Sequence, residues 1–304
     1  MKSEPLGDSG LLVSRVGLGC NNFGGRIDLD RTHEVVDAAI DTGITFFDTA
    51  DIYGNRGGSE RFLGELLEGR RDRVVLATKF GNDMGEGPNG SAEYVRRAIR
   101  GSLERLRTDH VDLYYYHRPD GATPLAETLG AMQELVTEGL VKAIGCSNFT
   151  AAQLAECDEL ARSGGGPRFV AIQNEYSLLE RDADEDVIPL ARKLGVSFVP
   201  YFPLASGLLT GKYRRGAPRP KGARLERRDI DGGTFERIEA FEAFARQRGR
   251  SLLELAIAAL ASQLGIPSVI AGATSAEQVR ANVAAADWLL TPDELDELSR
   301  LSGA

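Results

Sequence analysis

A chain of 304 residues with 42% apolar and 27% charged residues can bury a large core without covalent staples. Its formal charge of −9 argues against a general nucleic-acid or anionic-membrane binder, and three cysteines without a CxxC pair argue against a disulfide framework. The opening MKSEPLGDSG lacks the apolar stretch of a secretory signal, so a cytoplasmic protein of one domain, spanning 1–304, is expected.

The first predicted element is a hairpin at LGDSGLLVS, placed to plug the bottom of whatever follows. Eight short runs rich in β-branched and aromatic residues then read as strands: 16–19, 44–48, 73–79, 111–117, 141–146, 169–173, 196–201 and 267–271. Most are apolar without alternation, the pattern of parallel strands covered on both faces. Helix-period segments separate them. Residues 32–42 place Val35, Val36, Ala39 and Ile40 on one face, with Gly43 as the stop. Residues 91–106 start at a capping Ser91, and 124–138 start at Pro124 and end at Gly139. Further helices are expected at 59–69, 150–162, 183–194, 235–248, 251–263, 276–285 and 292–300. The apolar run at 251–266 is interrupted by Glu254 and Gln263 and is too short to span a bilayer. Strand and helix repeated eight times predict a (β/α)8 barrel with an N-terminal β-hairpin and extra helices.

One segment breaks the rhythm. Residues 211–228 hold eight basic residues and one acidic one, against the acidity of the rest. A solvated loop is the plain reading; a cationic flap over a bound anion is the sharper one, and the charge contrast favours it.

Polar residues gather where the predicted strands end: Asp48, Lys79, His117, Ser147 with Asn148, Gln173 with Asn174, Tyr201, and Gly272 with Thr274. Any one would be an ordinary strand exit. A ring of them marks the C-terminal face, where barrels of this kind carry their sites. Four make chemical sense together. A phenol is a poor proton donor at neutral pH; an ammonium beside it lowers its pKa, and a carboxylate holds the ammonium charged. Asp48, Tyr53 and Lys79 supply those parts, and His117 faces them from two strands away. Such a set delivers a proton to a developing alkoxide or removes one from an alcohol.

The pattern resembles the aldo-keto reductases over essentially the whole chain. It does so through GLGCNNFGG, ITFFDTADIYG, VVLATKF, VDLYYYHRPD, KAIGCSNF, IQNEYS, YFPLASGLLTGKY and GATSAEQVRANV, in order and at matching spacing. The resemblance implies an NAD(P)H-dependent oxidoreductase that reduces aldehyde, ketone or sugar carbonyls. Tyr53 would be its general acid, Lys79 would tune it, Asp48 would fix Lys79, and His117 would orient the carbonyl. It also implies that Ser147, Asn148 and Gln173 hold the nicotinamide amide, with Tyr201 stacked on the ring. Leu204, Ser206, Gly207, Leu209 and Lys212 would follow the pyrophosphate; Gly272, Thr274, Gln278 and Asn282 would meet the adenosine end. The substrate wall is expected from Asn22, Phe23, Phe80, Met84 and Arg118 with Tyr53 and the 211–228 loop, although Phe23 and Met84 suit a structural role equally. The brevity of the chain beyond its last helix points to an open pocket.

Two positions depart from the family. Ala281 stands where many members have Glu before the adenine-contacting Asn, and Thr274, Ser275 and Gln278, with Arg280 nearby, stand where many have Arg or Lys around a 2′-phosphate. NADPH is the preferred cofactor, and NADH is less excluded than usual. Three alternatives stay open: an NAD(P)-dependent sugar or alcohol dehydrogenase, a nucleotide-binding regulatory barrel with little turnover, and a Schiff-base aldolase using Lys79. Asp48 argues against the last, since it keeps Lys79 charged. His33, His110, Cys146 and Trp288 read as structural or solvated, and no His/Cys/Asp cluster has metal-ligand spacing.

Overall fold

The computed structural model describes residues 1–219, 221, 224–226 and 229–302. A two-stranded antiparallel hairpin, β1 (Ser3–Pro5) and β2 (Leu12–Ser14), precedes the barrel. The barrel strands are β3 (Val16–Gly19), β4 (Phe46–Asp48), β5 (Val75–Phe80), β6 (Val111–Tyr116), β7 (Val141–Ser147), β8 (Phe169–Gln173), β9 (Ser197–Phe198) and β10 (Val269–Gly272). They pair in parallel in the order β10-β3-β4-β5-β6-β7-β8-β9. The edges meet through a bridge between Tyr201 and Ile270, where Ile270 N–H donates to Pro200 O at 3.1 Å. The expected (β/α)8 architecture is present.

Helices α1 (Leu29–Asp41), α2 (Tyr53–Leu66), α3 (Ala92–Leu106), α4 (Leu125–Thr137), α5 (Ala151–Gly164) and α6 (Val187–Leu194) cover the outside, followed by α7 (Gly232–Gln247), α8 (Leu252–Ala261), α9 (Ala276–Ala285) and α10 (Pro292–Ser302). Ser91 caps α3 as its sequence implies, and α5 and α8 start with capping boxes, Thr150 with Gln153 and Ser251 with Glu254. Pro124 is the residue before α4 rather than its first member; its backbone is extended. The apolar 251–266 run forms α8, buried on nearly all sides between α7, α9 and the barrel. Among the described residues no helix is long and apolar enough to cross a membrane.

Strand parity sorts the side chains. Phe46, Ala77, Leu113, Tyr115, Ala171 and Ile270 point into the barrel and pack with Leu6 and Val13 of the hairpin, which closes the N-terminal end. Their sequence neighbours Phe47, Leu76, Tyr114 and Ile172 point outward into the layer beneath the helices. Gly7 permits the hairpin's close approach: its φ is +55°, and a Cβ there would stand 2.5 Å from Val170 O.

Candidate active site

The parity that fills the barrel builds its rim. Asp48, Lys79, His117 and Gln173 continue the inward-facing sets of Phe46, Ala77, Tyr115 and Ala171, one layer nearer the C-terminal face. Lys79 is fully buried, and its Nζ donates to Asp48 Oδ2 at 2.6 Å and to Thr49 O at 2.8 Å. Gln173 Nε2 donates to the other oxygen, Asp48 Oδ1, at 2.9 Å. Both carboxylate oxygens are therefore occupied, and the pair has one geometry.

Tyr53 reaches this pair from a turn, not from regular helix. Residues Gly54 to Gly57 carry φ values between +58° and +99°, so the helical backbone expected from 59 onward starts only after Gly57. A Cβ on Gly54 would stand 2.4 Å from Phe23 O, which ties that left-handed turn to glycine. Lys79 Nζ lies 5.1 Å from the Tyr53 ring centroid, and the ring stands edge-to-face with His117 at 5.8 Å and 85°.

Electrostatics assigns the protons. Burial raises the Tyr53 pKa above its ordinary value and outweighs the lowering by Lys79. The sequence reading expected a net lowering; the buried hydroxyl reverses it, and Tyr53 holds its proton at neutral pH. Burial alone would lower Lys79, but Asp48 and Tyr53 overcome it and raise its pKa, so it stays an ammonium. Burial, Lys79 and Arg118 push His117 well below its ordinary value, leaving a neutral imidazole.

Beside this group lies a cavity of about 560 Å³. Its wall includes Ser147, Asn148, Gln173, Tyr201, Leu204, Ser206, Gly207, Lys212, Gly272, Thr274, Gln278 and Asn282 from the expected nucleotide set, with Asn22 and Arg118 from the substrate set. Four expected residues stand elsewhere. Phe80 follows Lys79 and so takes the opposite parity, stacked between Tyr114 and Tyr116 at 4.9 and 5.1 Å. Phe23 is fully buried in the layer under the helices, Leu209 is buried against α7 and α8, and Met84 lies outside the wall. The wall also contains Arg26, Asn82 and Phe202, which the sequence reading did not single out, and Arg224 of the expected 211–228 loop.

The wall residues brace one another. Tyr201 Oη donates to Asn148 Oδ1 at 2.7 Å, and Asn148 Nδ2 donates to His117 O at 2.9 Å. Ser275 caps α9 with Thr274 and Gln278 hydrogen-bonded beside it, which turns a helix N-terminus toward the cavity. Of the cationic loop, Arg214 and Arg215 pair with Glu242 and Glu239 on α7, whereas Lys212 and Arg224 face the cavity. Arg224 reaches across to Asn22 Oδ1 at 3.3 Å. Pro220, Gly222, Ala223, Arg227 and Arg228 of that loop lie outside the described residues. Burial together with Arg26 and Arg224 lowers the Lys212 pKa, and burial with Arg26 lowers that of Arg224. Three like charges crowded on one wall fit a phosphate-bearing ligand, whose negative charge would relieve them. Among the described residues no cluster could hold a metal ion.

Behind the Tyr53 turn, Asp51 is buried, and its Oδ1 has no hydrogen-bond partner among the described residues. Burial and then the Glu60 carboxylate push its pKa up to about 8, against the pull of Arg105. An acid whose folded pKa exceeds its unfolded value of about 3.9 costs stability as pH rises between the two. Asp51→Asn is therefore expected to gain stability relative to the parent between pH 4 and pH 8, by a few kcal/mol (~2–5) at the upper end. Denaturant midpoints of both proteins across that range measure it; a pH-independent difference would refute it.

This barrel and site define the class of protein. The sequence matches the aldo/keto reductase family over residues 15–302, and the chain belongs to that family. It is 37% identical over 312 residues to "Uncharacterized oxidoreductase YrpG" of Bacillus subtilis (strain 168), covering 98% of this chain and 95% of that protein. It is 35% identical over 315 residues to a "Probable voltage-gated potassium channel subunit beta" of Oryza sativa subsp. japonica, at 98% and 95% coverage. A protein of the same description from Arabidopsis thaliana is 34% identical over 323 residues, at 99% and 96% coverage.

Proposed function

We propose that this protein is an NAD(P)H-dependent oxidoreductase that reduces aldehyde or ketone carbonyls, sugars included, with Tyr53 as the general acid. The observation that carries the reading is the buried Asp48–Lys79 pair held against a protonated Tyr53, with a neutral His117 across the same gap. Bound NAD(P)H supplies the hydride. As the carbonyl carbon accepts it, the oxygen gains negative charge and takes the Tyr53 proton. Lys79 stabilises the resulting phenolate, and Asp48 with Gln173 keeps Lys79 in place. His117 steadies the same oxygen from the other side.

Ser147, Asn148, Gln173 and Tyr201 would hold the nicotinamide end. Leu204, Ser206, Gly207 and Lys212 with Arg26 and Arg224 would follow the phosphates, and Gly272, Thr274, Gln278 and Asn282 would take the adenosine end. NADPH is the preferred form on family grounds. Asn22 and Arg118 face the substrate side. Because Arg118 is exposed at the cavity wall and has no ion pair among the described residues, a carboxylate-bearing aldehyde should be used better than its methyl ester; equal efficiency would sink that role.

The names of the plant relatives suggest a second reading, a nucleotide-binding subunit with little turnover. The complete set of Asp48, Tyr53, Lys79 and His117 favours the enzyme. The test is NADPH oxidation by purified protein with a panel of aldehydes and ketones, alongside calorimetry of NADPH and NADH binding. Turnover supports reduction. Tight binding without turnover on any substrate overturns it in favour of the second reading, and binding of neither nucleotide overturns both.

A further inference from the structure

The sequence gives Asn82 no evident role, but the fold places it on the catalytic imidazole. Asn82 Nδ2 lies 2.8 Å from His117 Nδ1. The approach depends on Gly81, whose φ is +106° and whose Cβ position is 2.6 Å from the Tyr116 ring. No side chain fits there, and the left-handed turn carries the chain leaving β5 back over the end of β6. His117 is fixed from both sides: its N–H donates to Phe80 O at 2.8 Å, and its O accepts from Asn148 Nδ2 at 2.9 Å.

With Nδ2 turned to the ring the amide donates, and Nδ1 offers its lone pair. A neutral ring accepting at Nδ1 carries its proton on Nε2. We propose that Asn82 is a positioning residue that fixes the Nε2–H tautomer of His117, so that the ring presents a donor to the carbonyl oxygen across from Tyr53. The other tautomer would turn a lone pair on that oxygen and oppose the charge that develops there. The charged and titratable groups facing His117 are Lys79 from β5, Arg118 from the end of β6 and Tyr53 from the non-helical start of α2, with Asp48 of β4 behind Lys79. None of them accepts a proton from Nδ1, which leaves Asn82 to set the tautomer.

The consequence for catalysis rests on the carbonyl-reductase reading; the tautomer does not. The chain has three histidines, so 15N-histidine NMR of the full-length protein without ligand resolves them, with His33→Gln and His110→Gln used for assignment. His117 is expected as a neutral ring protonated at Nε2 at pH 7. A neutral ring protonated at Nδ1, or an imidazolium, overturns the proposal.

The kinetic arm uses two variants. Asn82→Asp replaces a donor with an acceptor and so demands a proton on Nδ1. In that variant the imidazolium still donates from Nε2, while the neutral ring offers only a lone pair. Its kcat/KM for aldehyde reduction should therefore fall about 10-fold or more as pH rises through the His117 pKa, a step the parent lacks. Asn82→Leu removes the contact without reversing it and should lower kcat/KM without adding that step. Parallel losses in both variants with the parent's pH profile would mean a purely structural role and overturn the proposal. Absence of turnover in every form would refute the carbonyl-reductase reading instead, and the NMR result would still decide the tautomer.

Discussion

Replacing Tyr53 by phenylalanine is expected to lower kcat for carbonyl reduction by about 10²–10⁴-fold and to leave nucleotide affinity unchanged. The variant keeps the ring, its edge-to-face packing on His117 and its place beside Lys79 Nζ, and removes only the hydroxyl. Steady-state NADPH oxidation with one good aldehyde, paired with calorimetry of NADPH binding, makes the measurement. An unchanged rate would remove Tyr53 from the role of proton donor. The parent's pH profile follows from the same assignment. Burial holds the phenol protonated above its usual range, and His117 stays neutral well below its own. The reduction rate should thus be level across neutral pH and fall only in strongly alkaline solution, as Tyr53 loses its proton.

Lys79→Met is the change expected to damage the fold as well as the chemistry. Lys79 is 0% and Asp48 2% exposed, and among the described residues the ammonium is the carboxylate's only cationic partner. Removing it leaves a charge buried without a counter-charge, a change that costs on the order of 3–5 kcal/mol. Gln173 still donates to Asp48 and sets a floor under the loss. Adding Asp48→Leu should recover much of the stability, because two apolar side chains replace the pair, yet restore no turnover. Urea midpoints of the two single variants and the double variant test this. Additive losses in the double variant would show that the two groups do not act as a pair.

The barrel was legible because its strands are short apolar runs between helix-period segments, and their ends fell within a few residues of expectation. Asp48, Lys79 and His117 were legible for the same reason: they end strands whose other inward positions are core. Phe80 shows how that reading slips by one position, since the residue after Lys79 faces the opposite layer. Leu209 slips in a similar way, inside a turn whose neighbours Leu204, Ser206 and Gly207 line the cavity. Other features lie beyond strand pattern. Asn82 meets His117 only because Gly81 reverses the chain, and Arg224 meets Asn22 across 202 positions of sequence. The direction of the Tyr53 shift depends on burial of its hydroxyl, which Asp, Tyr and Lys at suitable spacing do not reveal.

The closure of the barrel has a further consequence. β9 is two residues long, and the join to β10 runs through the bridge at Tyr201, whereas β5, β6 and β7 pair along most of their length. Local opening costs least where the fewest backbone bonds must break. The cylinder is therefore mechanically uneven, stiff on the side that carries Lys79 and His117 and compliant along the β9–β10 seam. Tyr201, which belongs to the cavity wall, sits on that seam. A ligand spanning the wall from Tyr201 to Gly272 would act as a splint across the joint. The barrel would then close most firmly when its cavity is filled, and fluctuation in the empty barrel would be concentrated on the seam, away from Lys79 and His117.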